Sequence, residues 1–157
     1  MDVQELLARE GIRDTLARYH LSGDRGRLGE MLDCFTADAV LEIDGESPAR
    51  GRGAIETRLA GAVEGLHARV PAEETVLRHH LTTSGITLDG SDRARAWSYF
   101  AVVTDAGLDH AGRYVDELRL VDGHWRLSRR RVVVEWRSAQ SRYGGPPRAA
   151  DRGEAAP

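Results

Sequence analysis

Asp24, the adjacent pair His79 and His80, and Tyr114 are the side chains best suited to moving a proton between carbon and oxygen. Asp24 follows a helical run and Ser22-Gly23, while His79 and His80 sit together in a segment that reads as a strand. Successive strand residues point to opposite faces, so only one of the two histidines can look into the interior, and strand phase leaves both open. A carboxylate that accepts a hydrogen bond from an imidazole fixes its tautomer and raises its basicity, freeing the other ring nitrogen to exchange a proton near neutral pH. Such a pair can take a proton from the carbon next to a carbonyl and return it to a leaving hydroxyl. That is dehydration, isomerisation or aldol-type ring closure without a cofactor. Asp24 also has a plainer reading, as the cap of a helix beginning near Arg25. Tyr114 lies at even spacing from His110, Gly112 and Asp116; it is either a donor to a developing oxyanion or a packed core tyrosine.

Other chemistries find little support. The six histidines contain no pair at helical i, i+4 or strand i, i+2 spacing, so no metal and no cofactor is expected. Arg50-Gly-Arg-Gly53 lacks the phosphate-loop pattern and reads as a turn into a helix. The lone Cys34 reads as a packed thiol, and Arg129-Arg130-Arg131 as a solvated strand edge or a source of ion pairs. A net charge of -3 and a pI near 6.1 argue against nucleic acid as a partner. No apolar run approaches the ~20 residues that would cross a membrane. The opening MDVQELLARE has no secretory pattern, so a cytoplasmic location is expected.

The elements that must position these groups follow from periodicity. Residues 2 to about 20 read as a helix whose apolar phase shifts at Gly11, predicting a bend or a new packing partner there. A short helix carrying Leu28, Met31, Leu32 and Phe35 follows, then a strand over Val40–Ile43 and a third helix over 54–67. Beyond residue 76 four strands are predicted, over 76–88, 93–104, 110–121 and 124–136. Asp89-Gly90 and Asp122-Gly123 mark tight hairpins, with Asp105-Ala-Gly107 between them. Helices first and a strand meander afterwards predict an α+β fold. One domain is expected over 1–137, with 138–157 as a flexible C-terminal tail, rich in Arg, Gly, Pro, Ala and Ser.

Several local patterns fall in a familiar order. Tyr19 and Asp24 stand five residues apart, followed by Phe35-Thr-Ala-Asp38-Ala, Arg50-Gly-Arg-Gly-Ala-Ile55, Arg78-His79-His80-Leu81, Gly112-Arg113-Tyr114-Val-Asp116, Gly123-His-Trp125-Arg and Glu135-Trp136. Together, over residues 5 to 136, they resemble the SnoaL-like branch of the nuclear transport factor 2-like superfamily, which includes polyketide cyclases, scytalone dehydratase and ketosteroid isomerase. The resemblance implies a cone-shaped barrel of curved antiparallel sheet wrapped around the N-terminal helices and enclosing an apolar pocket. It also implies the absence of a cofactor and a homodimer through the sheet's outer face.

The resemblance places Asp24 at the pocket aspartate and His80 at the strand histidine, with His79 outward. It places Tyr114 facing the cavity; Tyr19, Tyr99, Trp97 and Thr104 are further candidate substrate contacts, and the apolar surfaces of Phe35, Leu41, Ile55 and Leu59 are expected at the pocket mouth. The match to scytalone dehydratase has gaps: its paired tyrosines fall on Gly23 and near Gly45, and its second histidine near Thr104. The function expected is dehydratase- or cyclase-type chemistry on a hydrophobic cyclic or polyketide-derived substrate. The alternatives are a ketosteroid-type isomerase and a non-catalytic subunit like the small subunit of a ring-hydroxylating dioxygenase.

Overall fold

A computed structural model describes residues 2–68 and 76–143. Helix α1 (Val3–Asp24) is opened by Asp2, whose carboxylate accepts a bond from the Glu5 amide at 2.8 Å. It runs on as one helix through Gly11, where its packing changes: Val3, Leu6 and Leu7 are exposed, whereas Ile12, Leu16 and Tyr19 are buried. Gly11 admits the Trp125 ring, because a Cβ there would stand 3.0 Å from the indole Cδ1. The second helix is shorter than expected: α2 (Leu28–Leu32) ends before Phe35, which opens strand β1 (Phe35–Ile43).

After β1 come a two-residue strand β2 (Ala49–Arg50) and helix α3 (Arg52–His67). The meander follows as β3 (Leu77–Asp89), β4 (Arg93–Thr104), β5 (Gly107–Val121) and β6 (His124–Arg137). Asp122 and Gly123 both take positive φ, 50° and 75°, as a two-residue hairpin between twisted strands requires. The six strands lie in the order β2-β1-β6-β5-β4-β3. The fold is the expected α+β, with two differences. The sheet is open rather than a closed barrel, and β1 runs parallel to β6, the other neighbouring pairs being antiparallel. A parallel neighbour needs a long crossover, here every element between β1 and β6, and no local pattern announces it.

The principal core joins Ile12, Leu16 and Tyr19 of α1 to Phe35 and Leu41 of β1, Ile55 of α3, and Leu118 and Leu127 of β5 and β6. Several register slips bend the sheet over it. Between Leu81 and Ser84 the extra residue lies in β3, and opposite the Ala111–Gly112 step of β5 the extra residue is Glu135 of β6. At the second bulge a Cβ on Gly112 would collide with the Val133 carbonyl, which is backbone and cannot swing aside. Gly112→Ala is therefore expected to cost about 3 kcal/mol, read as a lower urea midpoint. An unchanged midpoint would mean that the bulge relaxes freely.

Candidate active site

The inward face of the sheet is a ladder of rows. His79 pairs with Val102, and Val102 with His110; Ser98 pairs with Tyr114, and Tyr114 with Val132; Ala96 pairs with Asp116, and Asp116 with Arg130. The last turns of α1 lie over these rows and supply Tyr19, His20 and Asp24.

Asp24 and His79 meet. The carboxylate accepts the His79 backbone N–H at 3.0 Å on one oxygen and lies 2.6 Å from Nδ1 on the other. A carboxylate only accepts, so the ring proton sits on Nδ1 and Nε2 carries the reactive lone pair. Asp24 closes α1, and the cap position of α2 belongs to Arg27, so this carboxylate is not a helix cap.

His80, expected inward, is exposed and pairs with Ala101 on the outer face. The cause is the β3 bulge. Counting back from the inward Ile86 and Leu88 in steps of two reaches His80, but the extra residue at Thr82-Thr83 reverses the parity and turns Leu77, His79 and Leu81 inward.

Beneath the pair lies Arg130, fully buried, its guanidinium bonded through two nitrogens to both Asp116 oxygens at 2.8 Å. The Tyr19 and Tyr114 rings sandwich it, each centroid 4.3 Å from the guanidinium carbon. The arginine run is thus no solvated edge: β6 is an interior strand, Arg129 and Arg131 reach Glu42 and Asp44, and Arg130 turns inward. Burial raises the pKa of both tyrosines despite the nearby Arg130 charge, so their phenols stay protonated.

A second aspartate–histidine pair stands nearby. His110 is buried, with Nδ1 2.7 Å from Asp109. Asp109 also accepts bonds from the Ser141 hydroxyl and the Arg142 amide, both at 2.6 Å, and from Thr104 at 3.4 Å. Residues 138–143, expected in the tail, are thereby held on the domain, and Tyr143 lies edge-on to His110 with centroids 4.9 Å apart. The rest of the expected tail, 144–157, lies outside the described residues.

The remaining expected contacts divide. Tyr19 and Tyr114 flank the Arg130 guanidinium, while Thr104 donates to Asp109. Tyr99 and Trp97 pack on each other at 4.2 Å on the outer face, away from the pair. Phe35, Leu41 and Ile55 are sealed in the core beneath Tyr19, with Leu59 packed against them, so they do not line a mouth. Beside the pair stand the apolar cluster of Phe100, Val102 and Tyr114 with Leu77 and Leu81, and the polar His20 and Arg130. An open groove of about 950 Å³ lies at the other end of α1, between residues 2–18, the end of β3 and the β5–β6 turn. Among the described residues no cluster of three or more His, Cys, Asp or Glu could hold a metal ion.

The SnoaL-like domain family matches residues 4–131, most of the chain. The chain belongs to this family. Three solved structures show the same fold. Rv3472, a protein of unknown function from Mycobacterium tuberculosis, is 29% identical with a TM-score of 0.69, covering 84% of this chain and 74% of its own. A scytalone dehydratase-like protein from Novosphingobium aromaticivorans is 21% identical with a TM-score of 0.78, covering 99% and 100%. The beta subunit of a protein resembling aromatic-ring-hydroxylating dioxygenases, from the same species, is 22% identical with a TM-score of 0.67, covering 90% and 98%. No curated protein sequence matches the chain. The family accounts for the α+β architecture of this SnoaL-like chain; the chemistry has to come from its side chains.

His20 and Arg130 carry no motif that would have singled them out. Their only signals are position: His20 beside Tyr19 on α1, and Arg130 two residues before the inward Val132, although an extra residue at Ser128 puts it out of step with the inward Leu127. Burial lowers the pKa of both His20 and His110, aided at His20 by the Arg130 charge and opposed at His110 by Asp109. The unfolded chain binds those protons as pH falls through about 6.5, whereas the folded chain resists them. Stability should therefore be full above about pH 6.5 and decline below it. A urea midpoint that stays flat from about pH 7.5 to about pH 5 would refute this.

Proposed function

We propose that this SnoaL-like protein is a cofactor-independent enzyme that performs dehydratase- or cyclase-type acid–base chemistry on an uncharged cyclic substrate. The carrying observation is the Asp24–His79 contact, with its paired bonds at 2.6 and 3.0 Å. His79 Nε2 takes a proton from a carbon next to a carbonyl, and the C–H electrons form the new double bond. The imidazolium, steadied by the Asp24 carboxylate, hands the proton to the departing hydroxyl, which leaves as water. Tyr114 and Tyr19, protonated over Arg130, form the floor of the site.

The test needs no knowledge of the natural substrate. A panel of cyclic β-hydroxy ketones is incubated with the protein in deuterated water, and α-proton exchange and elimination are followed by NMR. Exchange faster than with the His79→Ala variant supports the reading. Equal rates for the two proteins across the panel would sink it.

A second reading, a non-catalytic subunit that binds a partner, has its own observation. The outer sheet face carries Tyr99 at 44% exposure and Trp136 at 45%, with Trp97 beside Tyr99. Either a second copy of the chain, the expected homodimer, or a larger partner would cover this face. Sedimentation of the purified protein separates them: a stable homodimer favours the enzyme, and a monomer with an uncovered aromatic face favours the subunit.

A further inference from the structure

His20 lies between the acid–base pair and the buried guanidinium and has no part in the mechanism above. Its ring centroid is 5.1 Å from that of His79, with the planes 32° apart, and 5.1 Å from that of Tyr114. Its Nε2 is 3.4 Å from Arg130 Nη1. A guanidinium offers only N–H groups, so Nε2 must present its lone pair and the ring proton must sit on Nδ1. Burial, reinforced by the positive charge of Arg130 and by His79, keeps the ring neutral. The residue is 5% exposed, and among the described residues no group accepts a hydrogen bond from Nδ1–H. This N–H is thus a donor at the site without a protein acceptor, open to one supplied by a bound molecule.

We propose that His20 is a substrate-binding residue whose Nδ1–H holds a neutral oxygen of the substrate, a ketone or alcohol oxygen, beside the His79 ring. The surrounding charges select a neutral acceptor. Arg130 is paired through two nitrogens with both oxygens of Asp116, and Asp24 and Asp109 add negative charge around the site, so a carboxylate ligand would meet repulsion. The donor carries no charge of its own but is polarised by the guanidinium on its other nitrogen. When His79 takes the α-proton, the C–H electrons form the enolate double bond and the carbonyl π electrons move onto oxygen. His20 then meets that growing negative charge with a fixed N–H, while the proton stays on His79.

The inference rests on the acid–base reading only for the position of the reacting carbon, and its test separates the two. The probe is 1-tetralone, an uncharged bicyclic ketone labelled with carbon-13 at the carbonyl, with tetralin as the control lacking oxygen. Binding is measured by NMR to the wild type, to His20→Asn, whose amide N–H stands near the position of Nδ1–H, and to His20→Phe, which keeps a ring without a donor. The ketone should bind more tightly than tetralin to the wild type and to His20→Asn, with a downfield carbonyl shift, and about tenfold more weakly to His20→Phe with the shift lost. In the unliganded wild type, long-range proton–nitrogen spectra should show His20 as the neutral Nδ1–H tautomer at neutral pH. An Nε2–H tautomer, an imidazolium, ketone binding no tighter than that of tetralin, or undiminished binding by His20→Phe would each overturn the proposal. A ketone that binds as expected but exchanges no α-protons would sink the acid–base reading and leave His20 as a binding residue.

Discussion

Replacing His79 with alanine should lower kcat about a thousandfold, whereas replacing its neighbour His80 should leave kcat within about twofold. Both variants remove an imidazole from the same strand, so any general loosening of β3 would be shared between them. Only one removes the ring that Asp24 holds at 2.6 Å. Asp24→Asn should fall between the two, at about a hundredfold, because an amide can hold the ring but cannot steady the imidazolium. The assay is α-proton exchange or elimination on whichever cyclic ketone the wild type accepts. Comparable losses in the two histidine variants would mean that the difference between the strand faces does not matter and the assignment is wrong.

Arg130→Met should cost about 3–5 kcal/mol of stability, a large fraction of what a domain of this size possesses. Both partners are fully buried, so removal of the guanidinium strands the Asp116 carboxylate among Tyr19, Tyr114 and the core. The double variant Arg130→Met/Asp116→Leu should recover most of the loss, because a buried ion pair contributes little beyond an apolar pair of similar volume. Urea titrations of the single and double variants read this directly. A single variant as stable as wild type would mean that water reaches Asp116. A double variant as unstable as the single one would place the cost in lost packing against the two tyrosine rings instead.

The meander was legible because its turns announce themselves: Asp122-Gly123 can occupy two successive positive-φ positions, and the strands on either side end at Val121 and begin at His124 as predicted. The contact of Asp24 with a β3 imidazole and the inward place of Tyr114 were also legible. Four features were not, each for a physical reason. The parallel pairing of β1 with β6 joins segments separated by most of the chain. Arg130 was hidden in a run of three arginines because an extra residue at Ser128 breaks the alternation of β6: counting in twos from Trp125 and Leu127 turns Arg129 and Arg131 inward instead. The β3 bulge falls on Thr82-Thr83, which no glycine marks, so the reversal of strand parity had no local cue. Residues 138–143 were missed because their anchor, Asp109, lies in another element and holds them by hydrogen bonds rather than apolar contact.

The doublet His79-His80 makes this end of β3 indifferent to register. If Leu77–Leu81 slid by one residue and absorbed the bulge, His80 would take the place opposite Val102 that His79 now holds, and an imidazole would still be presented there. What resists the slide is not the histidines but Leu77 and Leu81, which face the cluster of Phe100, Val102 and Tyr114 in the present register and would be driven into water in the other. The choice between two chemically equivalent bases is thus made by two leucines.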